Sequence, residues 1–392
     1  MEEILNKNKQ LKKKAVSLEG FVCIFLIGLV FYTLAHKMGG INMINTLIKT
    51  AHDLLINTVF FIMGVAVLAG AFASILSEFG VIAMINKFLS PLMKPLYKLP
   101  GAAAIGILTT YISDNPAILS LSADKGIKKY FKNYQLPALT NLGTSFGMGF
   151  IVSAFMIAQS TLLNKSLVIP VIIGNVGAFI GSIVSVNLMI HFTKKTFKNI
   201  NIEIEKDESI DLEVINYREI REGNAIERLL DAILEGGKMG VKMGMDIIPG
   251  VLIICSLVLM LTNGPGPHGY SGAAYEGVQV LPYIGEKLGF ILKPLFGFTS
   301  AKAIAFPITS LGAVGAALGL VPQFIKEGSI TPREIAVFTS MGMTWSGYLS
   351  THVAMMDSLG YRKLTGKAIL SHTFGGLAAG IAANLIYTIF IS

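Results

Sequence analysis

The first residues whose side chains could bind a ligand or take part in chemistry are Ser113-Asp114-Asn115-Pro116, which interrupt a long apolar stretch. An ionisable residue in hydrocarbon is costly and usually faces a cavity or an ion path. Ser, Asp or Asn followed by Pro is also typical of a helix start, where a side-chain oxygen caps free N–H groups. A cap needs no charge, however, so we interpret the carboxylate of Asp114 as a group that binds a solute or a cation.

Two further clusters of polar residues have helical spacing, around Asn141 and around Trp345. Residues four apart share a helix face, so Thr140 can point with Thr144. Small polar residues beside glycines also hold membrane helices together, and for each residue alone that alternative stays open. The predicted binding residues are Thr110, Ser113, Asp114, Asn115, Thr140, Asn141, Thr144, Ser145, Thr309, Ser310, Thr339, Ser340, Thr344 and Trp345, with Asn175, His352 and His372 as additional candidates.

Signatures of enzymes are missing from the sequence. There is no HExxH zinc helix, no GxSxG elbow, no GxxxxGK[ST] loop and no Cys/His cluster with metal-ligand spacing. Cys23 and Cys255 both lie in apolar segments, which predicts neither a disulfide framework nor a cysteine metal site. We therefore expect a protein that is not an enzyme and that has no resident cofactor.

The composition places these residues in a membrane protein. Apolar residues make up 53% and charged residues 14% of the 392 residues, whereas an average soluble domain has about 25% charged residues. Stretches near the length of about 20 residues that spans a bilayer predict seven crossings. The predicted spans are 17–36, 55–76, 134–160, 167–192, 246–262, 334–357 and 366–390, the first being a retained signal-anchor helix.

Two pairs of segments are apolar but unsuited to crossing. Residues 79–98 and 278–296 mix lysines and prolines with apolar side chains, which predicts interfacial amphipathic helices. Residues 101–124 and 299–320 follow them and are broken near the middle, so each half is too short to span a bilayer. Each is expected to form a re-entrant hairpin, with an uncharged tip near Gly312 in the second.

The two halves of the chain repeat each other at a constant offset. Lys94-Pro95-Leu96-Tyr97 matches Lys293-Pro294-Leu295-Phe296, and 293 − 94 = 199. The same offset pairs the Thr140 segment with the Thr339 segment, and Gly177 and Gly181, a predicted packing face, with Gly376 and Gly380. Each repeat has three crossings, an odd number, so the second repeat must be inverted. Such repeats are common in secondary transporters.

The sequence therefore predicts an all-α polytopic membrane protein with two inverted repeats and one extra N-terminal spanning helix. Each repeat has an interfacial helix, a re-entrant helical hairpin and three spanning helices. The predicted parts are 1–54 (cytoplasmic N-terminus, first span and loop), 55–192 (first repeat), 193–245 (hydrophilic linker) and 246–392 (second repeat). In the linker, a small β-hairpin is expected around 200–214, followed by an amphipathic helix in AIERLLDAILEGGKMG.

The charges predict the orientation in a cell membrane. The net charge of +8 is explained by lysines and arginines in cytoplasmic loops, so no nucleic-acid partner is expected. With the N-terminus and the linker inside, the lysines of 125–132 and 194–198 are also inside, and the C-terminus is outside.

The repeated motif resembles the Gate, or nucleoside recognition, membrane domain. The motif is an interfacial helix ending in KPL[YF], a broken hairpin and a helix with T[NS][LM]G, and it covers about 55–192 and 245–392. The family includes spore maturation proteins and, more distantly, concentrative nucleoside transporters and the membrane part of the ferrous-iron transporter. The resemblance implies that hairpin tips meet at the centre and that Asp114-Asn115-Pro116 is similar to a substrate-contacting acidic tip.

We therefore expect a secondary transporter of a small polar solute, nucleoside-like and coupled to Na⁺ or H⁺, with its site where the hairpin tips meet. The alternative is a non-transporting membrane assembly or signalling protein of the spore-maturation type, with the linker as its partner surface. A divalent-metal channel would need more acidic or sulfur ligands, and the hairpins contain no cysteine. A homo-oligomer stays open.

Overall fold

The computed structural model describes residues 14–113, 130–197, 218 and 220–391, which form helices and no strand. Six helical segments in these ranges are long and apolar enough to cross a membrane. They are Leu18–Met38, Gly40–Glu78, Ala138–Leu163, Val168–Phe197, Ala225–Thr262 and Arg362–Phe390. This supports the predicted multi-pass membrane protein.

The first half of the chain contains nine helices among the described residues. They are α1 (Leu18–Met38), α2 (Gly40–Asp53), α3 (Phe60–Glu78), α4 (Val81–Tyr97), α5 (Ala103–Ile112), α6 (Ala138–Thr144), α7 (Gly149–Ala158), α8 (Ser160–Leu163) and α9 (Val168–Phe197). A π-helical turn, Leu54–Val59, joins α2 and α3 into one long helix.

The second half contains ten α-helices among the described residues. It contains α10 (Ala225–Pro249), α11 (Ser256–Thr262), α12 (Val280–Lys287), α13 (Gly289–Phe296), α14 (Ala305–Ser310), α15 (Val314–Leu318), α16 (Val321–Lys326), α17 (Pro332–Thr344), α18 (Leu349–Ser358) and α19 (Thr365–Phe390). A second π-helical turn, Gly250–Cys255, joins α10 and α11.

Six of the seven predicted spans match a long apolar helix, and the seventh differs. The segment predicted as one span at 334–357 consists of α17 and α18, which are separated at residues 345–348. The same happens within the span predicted at 134–160, where α6 and α7 are separated at 145–148. Each interruption contains a glycine, Gly147 or Gly347, which is a poor helix former.

Helices are present in the segments predicted as interfacial helices and in the segment predicted as the second hairpin. Residues 79–98 form α4, and 278–296 form α12 and α13. In the second hairpin, a short 3₁₀ turn (Ala301–Ile304) and α14 make the first arm, and the chain breaks at 311–313 before α15. Only the first arm of the first hairpin, α5, lies within the described residues. The β-hairpin predicted around 200–214 lies outside them.

The hydrophilic linker ends in a helix that continues into the membrane. Asn224 caps α10, because its side chain accepts hydrogen bonds from the N–H groups of Ile226 and Glu227. In return, the Glu227 carboxylate accepts a hydrogen bond from the backbone N–H of Asn224. The predicted amphipathic helix is therefore present, but it and the span predicted at 246–262 are one continuous helix. The predicted boundary at residue 245 falls inside it.

Glycines allow two helix pairs to approach closely. Gly236 lies against Gly70, Gly240 against Ala66 and Gly244 against Met63, so α10 runs antiparallel to α3. In the second pair, Gly181 of α9 lies against backbone atoms of α19, as the sequence predicts for this face. These contacts fix the scaffold around the interrupted helices.

Candidate functional site

The interruptions of the two middle helices occupy equivalent positions in the two halves. α6 ends at Thr144 and α17 at Thr344, while α7 begins at Gly149 and α18 at Leu349. Both pairs are separated by 200 residues, since 344 − 144 and 349 − 149 both equal 200. Interrupted helices at membrane depth are tolerated where they line a cavity or are buried in protein. Polar contacts or a cavity are therefore expected at these two interruptions.

Asn141 is the centre of a buried network that joins the two halves. Its Nδ2 donates to Ser185 Oγ at 3.0 Å and to the Ala368 carbonyl oxygen at 2.9 Å. Ser185 Oγ lies 3.0 Å from Nδ1 of His372, and Nε2 of His372 lies 2.5 Å from the Thr344 carbonyl oxygen. Asn141, Ser185 and His372 are fully buried. We call these three side chains the closed network, because the protein itself satisfies their polar atoms.

His352 extends this region on the side of α18. Its ring centroid lies 4.6 Å from that of His372, and its Nδ1 is 2.5 Å from the Tyr348 carbonyl oxygen. Its Nε2 lies 3.4 Å from Thr144 Oγ1, and Thr144 donates to the Thr140 carbonyl oxygen at 2.7 Å. The structure thus brings predicted residues of both repeats together, in mutual contact.

Several predicted binding residues bond to their own helix. Thr140 donates to Pro137, Ser145 to Asn141, Thr339 to Ile335 and Thr344 to Ser340, in each case to a carbonyl oxygen. Thr110, Ser113, Thr309 and Ser310 in the hairpin arms do the same with Gly106, Thr109, Ala305 and Phe306.

Trp345 and Ser340 lie at helix contacts. The Trp345 ring covers Gly376 and its Nε1 donates to the His372 carbonyl oxygen at 3.3 Å. Ser340 faces Gly177, and its buried hydroxyl has no partner among the described residues.

Asn175 belongs to a separate cluster within the first half. It donates to Ser153 Oγ at 2.9 Å and accepts from Tyr111 OH at 2.8 Å. Asp114 and Asn115 lie outside the described residues, so the first hairpin tip stays a prediction.

A cavity of about 270 Å³ opens beside the second hairpin tip. Its wall is formed by α10 with the π-helical turn, the second hairpin tip, α15, the two helix interruptions and α18. The lining residues are Met148, Met243, Asp246, Ile247, Gly250, Gly312, Ala313, Val314, Gly315, Ala316, Ser346, Gly347 and Thr351. We call this space the tip cavity. It is the place where an unwound tip, a π-helical turn and two interrupted helices meet.

Asp246 is a functional candidate that the sequence analysis missed. It is exposed, lines the tip cavity, and makes no hydrogen bond or ion pair with another described residue. The sequence placed it at the start of a span, where a charge is unremarkable. The signal that could have found it is the helical periodicity of 225–249, which continues through this boundary. Within the described ranges, no group of three His, Cys, Asp or Glu side chains could hold a metal ion.

The chain is similar to known proteins in one family and one fold. Residues 59–198 match the Gate family, described as nucleoside recognition. No curated protein matches the chain by sequence. Among solved structures, CNTnw in an inward-facing, substrate-bound state has a TM-score of 0.52 at 13% identity, covering 97% of this chain and 94% of that chain.

A CNTnw variant in an intermediate state is similar at a TM-score of 0.49 and 12% identity, with 87% of this chain and 81% of that chain covered. CNTnw is a concentrative nucleoside transporter, and at this identity the first likeness describes the fold alone. Residues 59–198 thus match the Gate, or nucleoside recognition, family, and the chain as a whole shares the fold of CNTnw.

Proposed function

We propose that this chain is a secondary transporter of a small polar solute of the nucleoside class, coupled to Na⁺ or H⁺. The Gate match over 59–198 and the fold shared with CNTnw support the class of protein. Function belongs to sites rather than to folds, so the proposal also needs a site. The tip cavity supplies it and is the single observation that carries the proposal.

The packing of the long helices supports an inverted repeat. α3 and α10 run antiparallel, and the π-helical turns Leu54–Val59 and Gly250–Cys255 contact each other. A two-fold axis in the membrane plane would relate two such helices. In transporters built this way, the substrate site lies near the midplane at the repeat interface, beside discontinuous helices. We propose the same arrangement here, with the N-terminus and linker inside and the C-terminus outside.

The proposed site has two sides. Asp114 and Asn115 of the first tip contribute a carboxylate and an amide in the coupling or substrate site, and the second tip closes from the opposite side. Asn141, His372 and Trp345 hold the walls in place through the contacts that join α6, α9, α17 and α19. The remaining predicted residues contribute through their position on the same interrupted helices.

Uptake by purified protein in proteoliposomes tests this function. A thermal-shift screen against nucleosides, nucleobases, amino acids and cations first identifies a ligand, because ligands that bind the native state stabilise it. The proposal expects uptake of the identified solute, and Asp114→Asn is expected to abolish it. Asp231→Asn, an exposed aspartate on α10, is the matched control. Full uptake by Asp114→Asn would refute the role of Asp114.

A non-transporting assembly or signalling protein is the second candidate, and one observation favours it. The linker's end is fixed to α3, because Arg221 Nη1 lies 2.6 Å from Glu78 Oε2 and Arg228 Nε lies 2.7 Å from Glu78 Oε1. A fixed linker would suit a partner surface. On this alternative, deleting 199–217 removes function in cells while ligand binding stays intact. On the transporter proposal, uptake survives that deletion.

A further inference from the structure

Asp246 lies at the depth of an apolar span. The largely apolar stretch of the helix that contains α3 runs through the π-helical turn and α3 from Leu54 to Ser77, about 36 Å at 1.5 Å per residue, so Phe60 at the start of α3 lies about 9 Å inside its end. Gly240 contacts Ala66 and Gly244 contacts Met63, so the following turn of α10, with Asp246, is level with the start of α3. At that depth a charged side chain needs water, a counter-charge or a ligand.

Two lysines continue from Asp246 toward the linker. Lys242 and Lys238 follow at four-residue steps on the same side of α10, and both are exposed without an ion pair among the described residues. Helical side chains lean toward the helix N-terminus, and lysines extend to the nearest polar surface. Their ammonium groups therefore lean away from Asp246. This side of α10 is a polar path from the linker to the tip cavity.

The partly or fully buried carboxylates in the described part of the chain are satisfied by protein groups, whereas Asp246 is exposed to the tip cavity. Glu78 pairs with Arg221 and Arg228, Asp53 accepts from Tyr275, Glu334 accepts from Thr299 and Thr331, and Glu276 accepts from Ser271 and Gly272. Asp246 differs from this set, because no described protein group neutralises it. A cation bound in the tip cavity would supply the missing positive charge.

The chemistry of the tip cavity selects the kind of partner. Among the described lining residues, Asp246 is the only titratable side chain, and the neutral lining residues include Ser346, Thr351 and the glycine-rich tip. This is one negative charge among neutral oxygen atoms. Unwound backbone carbonyls and a carboxylate are groups that coordinate Na⁺ or take up H⁺ in transporters with broken helices.

We propose that Asp246 and the second hairpin tip form a site for a monovalent cation, Na⁺ or H⁺. This rests on the proposed transport function, and it assigns the coupling cation to the tip cavity, which leaves Asp114 to the solute. The cation neutralises Asp246 at membrane depth and draws the tip toward α10.

Cation binding to the full-length detergent-purified protein, with no solute present, tests the site. The melting temperature is followed as Na⁺ replaces choline at constant ionic strength, and separately as pH is varied in choline alone. The Na⁺ titration detects Na⁺ binding, and the pH series in choline detects H⁺ binding; these are the two arms of the experiment. The variants are Asp246→Asn, Asp246→Glu as a charge-retaining variant, and Asp231→Asn and Asp114→Asn as controls.

The wild type is expected to be stabilised in one of the two arms. Asp246→Asn should lose that response, or need about tenfold more Na⁺ for half-saturation, whereas Asp246→Glu and both controls keep it. The inference is overturned if the wild type responds in neither arm, if Asp246→Asn responds like the wild type, or if only Asp114→Asn loses the response. Solute uptake that persists alongside such a result would leave the transport function standing and remove this site alone.

Discussion

The closed network and the tip cavity are two polar regions of the same membrane-spanning core, and they differ in how their polar atoms are partnered. In the closed network, Asn141, Ser185 and His372 are fully buried and satisfy one another. In the tip cavity, Asp246 is exposed and has no protein partner among the described residues. A satisfied buried network specifies one structure, whereas an unpaired charge at membrane depth points to a ligand.

This difference distinguishes two roles that a polar residue in a membrane helix can have, a structural role and a ligand-binding role. The Asn141 amide bridges α6 to α9 and α19, and the His372 imidazole bridges α19 to α9 and α17. Their role is to fix where α6, α17 and α19 stand. In the tip cavity, by contrast, Gly312, Gly315 and Asp246 line an open space. We infer that the closed network positions the interrupted helices and that the tip cavity receives what is bound.

The largest effect is expected from adding one methyl group beside the closed network. In Gly181→Ala, the new Cβ would meet the Gly375 carbonyl oxygen and lie 2.5 Å from Ala379 Cβ, so backbone must move. Overpacking costs about 1–3 kcal/mol and occasionally more, and because two atoms would lie this close we expect a cost at the upper end of that range. We expect a clear drop in the melting temperature of the detergent-purified protein.

The matched control is Gly312→Ala in the tip cavity. A Cβ there has neighbours at 3.5 and 3.7 Å, which are ordinary contacts. Its melting temperature should stay close to that of the wild type, since the expected change is about 0.5 kcal/mol or less. Equal losses for the two variants would contradict the distinction between a tightly closed region and an open one.

A smaller effect is expected from removing one amide. Asn141→Ala takes away the donor to Ala368 and Ser185 inside a fully buried region, at a cost of about 1–3 kcal/mol. Asn175→Ala is the comparison, because Tyr111 OH lies 3.5 Å from Ser153 Oγ and can turn to it. Asn175→Ala should therefore lose less stability in the same thermal assay.

The two asparagine variants also separate scaffold from site. If the closed network is structural, the folded fraction of the Asn141→Ala protein should bind the solute with an affinity near that of the wild type. A large loss of affinity with unchanged stability would show instead that Asn141 contacts the solute.

Much of the fold follows from sequence patterns that report on length and burial. Apolar stretches of spanning length predict six of the long helices, and the repeated KPL[YF] motif predicts α4, α12 and α13. The continuity of α10 was missed, because the charged residues between 225 and 245 suggest a solvated linker. Only the tertiary contact of Gly236 and Gly240 with α3 shows that this helix runs beside a membrane span.

The candidate site was predicted in part. Asn141 was predicted as a binding residue and His372 as an additional candidate, and their binding roles stay predictions. Ser185, which connects them, has no local pattern that marks it. The helix interruptions depend on packing such as the Trp345 ring over Gly376, which a helical period does not encode. Asp246 was missed because its importance comes from the second hairpin tip, about seventy residues away along the chain.

Chemical labelling of single cysteines tests the contrast between the closed network and the tip cavity most directly. Cys23 is exposed and is replaced by alanine, while the buried Cys255 stays as an internal unreactive thiol. Thr351→Cys in the tip cavity and Ser185→Cys in the closed network are then treated in open membrane fragments with a cationic, membrane-impermeant methanethiosulfonate. Labelling after denaturation confirms that each thiol is present. The account predicts that Thr351→Cys is labelled in the native protein and that Ser185→Cys is not; labelling of Ser185→Cys with protection of Thr351→Cys would contradict it.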